Sequence, residues 1–165
     1  MKALVVYYSQ TGNTERMAEN IIRTLEDRGV EVETVSIERS EEKSYDTNVK
    51  GAKKRVKADI EPTKTNLRSY NLLCIGAPVW SSAPATPVNG YLARCSGVDG
   101  TKILCFASHG GGGPGDTFEI MKEKLEEKGG EVIETVALSS QRVSFEEGKK
   151  ETREAVEKLL DKVSS

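Results

Sequence analysis

Apolar residues in this chain fall into two alternating kinds of segment. Ala3-Leu4-Val5-Val6-Tyr7-Tyr8 is an unbroken β-prone run, the pattern of a strand covered on both faces. Met17, Ala18, Ile21, Ile22 and Leu25 then recur with helical spacing. Asn13 or Thr14 is placed to cap that helix and Gly29 to end it. Residues 30–37 alternate apolar and charged side chains, which predicts a more exposed, flanking strand. Residues 38–66 are polar and lysine-rich. There Val49, Ala52 and Val56 form a weak helical stripe, with Lys50, Lys53, Lys54, Arg55 and Lys57 on the remaining faces. Residues 71–76 and 103–107 read as two further buried strands. Between them Thr86 is placed to cap a short helix with Pro87 at its first position, and Val88, Tyr91, Leu92 and Cys95 on its inner face. Asp116 and Glu119 make a capping-box pattern ahead of Phe118, Met121 and Leu125. Residues 131–138 are the fifth strand. Ser144 and Glu147 suggest another capping box before a last helix carrying Ala155, Val156, Leu159, Leu160 and Val163.

Strict alternation of strand and helix predicts an α/β fold, a doubly wound five-stranded parallel sheet with helices on both faces. No linker or repeat divides the chain, so residues 1–165 are expected to form a single domain. In such sheets ligands bind at the carboxyl ends of the strands, beside the reversal of strand order. Three loops are thereby singled out: those after Tyr8, Gly76 and Ala107.

Composition narrows the classes. The 18.0 kDa chain has 36% hydrophobic and 30% charged residues, compatible with a folded core. A net charge of −2 gives no general drive toward nucleic acid or anionic membrane. No apolar run is long enough to span a bilayer and the start is not a signal peptide, so the expected location is cytoplasmic. Cys74, Cys95 and Cys105 show no paired spacing, and one histidine, His109, leaves little material for a metal site. Cys74 and Cys105 are expected to be inert buried thiols, and Cys95, closing a helix, to be partly exposed. The basic residues 50–57 are read as a solvated helix face, with a docking patch for an acidic partner as the alternative.

The first loop is Ser9-Gln10-Thr11-Gly12-Asn13-Thr14. It joins a strand to a helix, offers hydroxyl and amide groups, and contains a glycine for a sharp turn. A helix N-terminus there favours a phosphate, although a plain helix cap would use some of the same residues. The loop is neither GxxxxGK[ST] nor GxGxxG. With Tyr8 before it and Glu15 after it, it closely resembles the FMN phosphate loop of flavodoxins. That resemblance implies the flavodoxin-like strand order 2-1-3-4-5 and FMN as cofactor.

The second loop, Ala77-Pro78-Val79-Trp80-Ser81-Ser82-Ala83-Pro84, resembles the flavodoxin loop in which an aromatic residue covers one face of the flavin ring. Ala77, Pro78, Val79, Trp80 and Ser81 are the candidate contacts. Trp80 either stacks on the flavin or packs its loop onto the adjacent helix. The third loop runs Ser108-His109-Gly110-Gly111-Gly112-Gly113-Pro114-Gly115. By resemblance, Ser108, His109, Gly110, Gly111 and Gly112 meet the pyrimidine edge of the ring; the plain alternative is a flexible lid or turn. His109 is either a hydrogen-bond or proton donor to flavin or substrate, or a solvated loop residue.

Two departures from typical flavodoxins matter. The third loop has no tyrosine or tryptophan, and Phe106 before it is expected to face the core, so one flavin face is left open. Ser81 and Ser82 also stand where a glycine commonly permits a backbone flip, which predicts weaker stabilisation of a one-electron-reduced flavin. The resemblance implies an electron-transfer protein working between a reductase and an acceptor. The alternative is an FMN-dependent NAD(P)H:quinone-type reductase, with a small quinone-like substrate over the open face. Either a monomer or a homodimer fits.

Overall fold

A computed structural model describes residues 1–164. Its elements are β1 (Lys2–Tyr7), α1 (Asn13–Asp27), β2 (Glu31–Ser36), α2 (Tyr45–Lys53), β3 (Leu72–Trp80), β4 (Ala83–Pro84), α3 (Thr86–Arg94), β5 (Lys102–His109), α4 (Thr117–Glu127), β6 (Glu131–Ser139) and α5 (Glu146–Ser164). The long strands are parallel, in the spatial order β2-β1-β3-β5-β6. Counting long strands alone, this is the expected order 2-1-3-4-5. The additional short strand β4 folds back antiparallel on the end of β3.

Strands β1, β3 and β5 are buried almost throughout because helices cover both faces. On one face Leu4, Val6, Leu73, Ile75 and Cys105 pack with Val88, Tyr91, Met121 and Leu125 from α3 and α4. On the other, Ala3, Val5, Cys74, Leu104 and Phe106 pack with Met17, Ile21, Leu25, Val156 and Leu159 from α1 and α5. Successive side chains of each strand therefore serve opposite cores. Gly76 makes room where β3 crosses the Phe106 ring: a Cβ there would lie 2.1 Å from Phe106 Cε2. β2 is the exposed edge, as its alternating pattern implies.

Several local expectations give way. The 77–84 segment is not a plain loop: β3 continues to Trp80, and Val79 and Trp80 pair with Pro84 and Ala83 across a two-residue turn. Val56 lies beyond α2 and is exposed, while Asn48 and Ala52 form the helix's buried side. The helix starts are capped differently as well. Ala85 precedes α3 without a side-chain cap. Asp116 stands at the cap of α4, but its side chain makes no capping bond. Helix α5 starts at Glu146, two residues past Ser144. Cys95 is buried rather than partly exposed, its thiol donating to the Leu92 carbonyl at 3.5 Å. Burial pushes the Cys74 thiol up to about 12 and raises Cys95 and Cys105 too, as inert thiols require.

Helix α2 has a side-chain cap: Ser44 Oγ accepts from the Thr47 N–H at 3.2 Å. Substituting Ser44→Ala is expected to cost about 1 kcal/mol. Urea unfolding of the two proteins measures it.

Candidate functional site

Gly12 occupies the N-cap of α1 in the left-handed region, φ 95°. A Cβ there would meet only Arg16 Nη1, at 4.0 Å, so conformation rather than space calls for glycine. Neither Asn13 nor Thr14 caps the helix. The capping side chain is Ser9, whose Oγ accepts from the N–H groups of Gly12 (3.1 Å) and Glu15 (3.2 Å). A hydroxyl that accepts twice still has its own proton to donate. Among the described residues, the N–H groups of Thr11, Asn13 and Thr14 find no protein acceptor. These donors gather at the positive end of α1. Asn13 is held between neighbours, donating to Thr11 Oγ1 at 3.3 Å and accepting from Arg16 Nη1 at 3.1 Å. Thr14 is buried, and its hydroxyl pairs with that of Ser108 at 2.7 Å, tying the first loop to the third.

At the tip of the hairpin, Ser81 (φ 50°) and Ser82 (φ 64°) are both left-handed, as in the type I′ turns that join tight hairpins. The Ser82 carbonyl accepts from the Asp116 N–H at 2.7 Å, anchoring the turn to the start of α4. Gly115 is needed beside it, since a Cβ would lie 2.4 Å from Ser82 Cβ. Trp80 stands edge-on to Tyr8, with ring centroids 5.9 Å apart. The Arg39 guanidinium lies over the Trp80 ring, 5.7 Å from its centroid. Trp80 is half-buried and packs against the core, so it anchors its hairpin while keeping surface toward solvent.

In the third loop, His109 Nδ1 accepts from the N–H groups of Gly111 (3.0 Å) and Gly113 (3.2 Å). The neutral ring must therefore carry its proton on Nε2. Burial, then the nearby Arg142 charge, hold this imidazole below its ordinary pKa. A protonated Nδ1 cannot accept, so the two loop bonds exist only with neutral His109. The folded value lies below the unfolded one of about 6.5, so the unfolded chain binds the proton more readily. The loop's stabilisation is full above that value and is lost as pH falls through the lower folded value. Hydrogen exchange should show Gly111 and Gly113 amides protected at neutral pH and losing that protection as pH falls through the lowered folded value; protection unchanged throughout acid titration, or in His109→Ala, would remove this role. Arg142 itself turns to Glu151, at 2.8 Å, and Glu147.

The three loops enclose a cleft of about 190 Å³ lined by Gln10, Thr11, Asn13, Pro78, Val79, Trp80, Ser108, His109, Gly110 and Ser140. Nine of these ten were expected. Ser140 was missed, although it follows β6 at the same carboxyl edge. Ser9, Gly12 and Thr14 do not line this cleft; they complete the donor-rich turn that carries Gln10, Thr11 and Asn13. Ala77 is fully buried in β3, while Gly111 and Gly112 lie further out on the loop. Ser81 opens on a neighbouring cleft with Tyr45, Asn48 and Val49, and Gln10, Val79 and Trp80 belong to both. Phe106 faces the core, as expected. Among the described residues no group of three or more His, Cys, Asp or Glu could hold a metal ion. No helix among them is long and apolar enough to cross a membrane.

Residues 5–158 match the family model for flavodoxin. The flavodoxin of Megasphaera elsdenii is 28% identical over 138 residues, 82% of this chain and 84% of that protein. A flavoprotein from Lactobacillus acidophilus, solved in complex with FMN, is similar with a TM-score of 0.66 and 26% identity over 86% of this chain and 95% of its own. A flavodoxin from the domain Archaea matches in fold over 100% of both chains, with a TM-score of 0.67 and 21% identity.

Proposed function

The chain belongs to the flavodoxin family, and from that membership we propose that it holds FMN across these three loops and carries electrons between a reductase and an acceptor in the cytoplasm. The single observation that supports the site best is the cradle of unpaired donors at α1. Three backbone N–H groups without a protein acceptor and the spare Ser9 proton sit at a helix N-terminus. They lie beside the β1/β3 reversal of strand order. A phosphate monoester fits that donor set without any lysine or arginine.

When bound, FMN supplies the redox chemistry. The residues of this chain bind and orient it. Ser9, Thr11, Asn13 and Thr14 would hold the phosphate. Trp80 would cover part of the ring, and the Arg39 cation behind Trp80 limits the freedom of that side chain. The N–H groups of Gly110 and Gly112, which have no protein acceptor among the described residues, would face the polar edge of the ring. His109 positions this loop, since Nδ1 is taken by the loop's own amides. Its Nε2–H is the atom left to donate.

Direct reduction of a quinone is the second reading. It is favoured by the third loop, which brings no aromatic ring opposite Trp80. An anaerobic titration of the FMN-loaded protein, followed by turnover with NAD(P)H and a quinone, separates the two. Retained flavin with negligible turnover supports the carrier. Rapid quinone reduction supports the reductase, and failure to retain FMN defeats both.

A further inference from the structure

We propose that the cleft bounded by the β2–α2 connection, α2 and the first turn of α3 is a second ligand site, for a small organic phosphate with an apolar body. It is distinct from the cleft at the three loops and larger, about 460 Å³, within the range that encloses small ligands.

Its walls are fixed by backbone bonds: Ser40 N–H to Asp59 O at 3.0 Å, Glu61 N–H to Glu38 O at 2.8 Å, and Ala58 N–H to Thr86 O at 3.2 Å. Gly51, Val56 and Ala58 give it an apolar side. Its charge is mainly positive: Arg39, Lys43, Lys50 and Lys54 against Glu41 and Asp59. Both carboxylates are engaged, Glu41 with Lys43 at 3.0 Å and Asp59 with Arg94 at 3.9 Å. Lys50 and Lys54 have no ion pair among the described residues.

Arg39 carries the argument furthest. Its side chain is only 3% exposed, and its nearest carboxylate, that of the exposed Glu42, is 4.0 Å away. Nη1 donates to Asn48 Oδ1 at 3.0 Å, while the buried Nε has no partner. A cation taken out of water needs compensation. The Trp80 ring, the Asn48 amide oxygen and the nearby Tyr8 hydroxyl supply part of it, and an anion in the cleft would complete the set. A solvated basic helix face would have no reason to bury this guanidinium. A docking surface for an acidic protein would need a broad area rather than a pit.

The proposal does not rest on FMN binding, because the two clefts share no lining residue; between them lies the smaller cleft beside Ser81, to which Asn48 of the proposed site also belongs, and Arg39 reaches the Trp80 ring. Trp80 is the only tryptophan, so its indole N–H resonance reports on Arg39. The test is calorimetric and NMR titration of the FMN-loaded full chain with adenosine 5′-monophosphate, and with adenosine and inorganic phosphate as controls. Flavin-free chain is titrated in parallel. Saturable binding of the nucleotide, tighter than of either control, with a shift of the Trp80 indole resonance is expected. The exposed double substitution Lys50→Glu/Lys54→Glu should weaken it by at least about tenfold while leaving FMN binding unchanged. Three results would overturn the proposal: no saturable binding, binding untouched by the double substitution, or binding that FMN abolishes, which would assign the nucleotide to the phosphate loop. Capture of a glutamate-rich peptide without nucleotide binding would equally reject it in favour of protein docking.

Discussion

Replacing Ser9 with alanine is expected to weaken FMN binding by roughly 10- to 100-fold, the largest single effect of any side chain in the first loop. The magnitude follows from a hydrogen bond to a charged group, about 1.5–3 kcal/mol. Ser9 Oγ already accepts from the Gly12 and Glu15 N–H groups, which fixes the oxygen and leaves its proton as the only bond it can still offer. The same substitution leaves those two N–H groups without an acceptor, so the flavin-free protein should lose about 1 kcal/mol of stability. Two measurements separate the effects: quenching of FMN fluorescence on titration, and denaturant unfolding without flavin. Ser9→Thr keeps the hydroxyl and should recover most of both. If Ser9→Ala lost stability yet bound FMN as wild type does, Ser9 would be a helix cap and nothing more.

The sheet was legible in the sequence because buried parallel strands make unbroken apolar runs, and residues 3–8, 71–76 and 103–107 show them plainly. Alternation with helical stripes then predicted a parallel sheet covered on both faces, while the strand order came from the resemblance of the first loop to that of flavodoxins. The three loops were legible for a related reason: they end those runs in glycine and hydroxyl residues. What escaped was bonding inside the loops. Asn13 and Thr14 are the residues a capping rule selects, but Gly12 takes the N-cap in a left-handed conformation. That turn lets Ser9, from outside the helix, reach two N–H groups. Ser81-Ser82 gives no hairpin signal, since the usual two-residue turn is Asn-Gly or Asp-Gly. The turn forms because Asp116 and the space beside Gly115 hold Ser82. His109 was read either as a donor to flavin or substrate or as a solvated loop residue. Its Nδ1 instead turns back on the loop, a contact that depends on glycine dihedrals no sequence pattern encodes. Arg39 carried no motif at all; its burial against Trp80 comes from the tertiary meeting of the β2–α2 connection with the hairpin.

The same hairpin sets the second large expectation. Substituting Ser81→Gly should let one-electron-reduced flavin accumulate during anaerobic reduction, whereas the wild-type protein should pass to the fully reduced form without it. The Ser82 carbonyl is anchored to Asp116, and Trp80 and Ala83 are paired strand residues. The Ser81–Ser82 peptide is therefore the one unit of the turn free to invert. Inverting it turns a type I′ turn into type II′, whose first central position is a glycine position. Serine there would cost about 1–3 kcal/mol. Any flavin state that needs the inverted carbonyl bears that cost, and a factor of ten in a one-electron equilibrium is about 59 mV. Glycine removes the penalty, so the first reduction potential should rise by roughly 40–130 mV relative to wild type. Flavin-free stability should move little, because relief of the left-handed strain at φ 50° is offset by glycine's greater freedom in the unfolded chain. Absorbance at long wavelength during the titration provides the readout. An intermediate already abundant in the wild-type protein would show that Ser81 does not hold the turn against inversion.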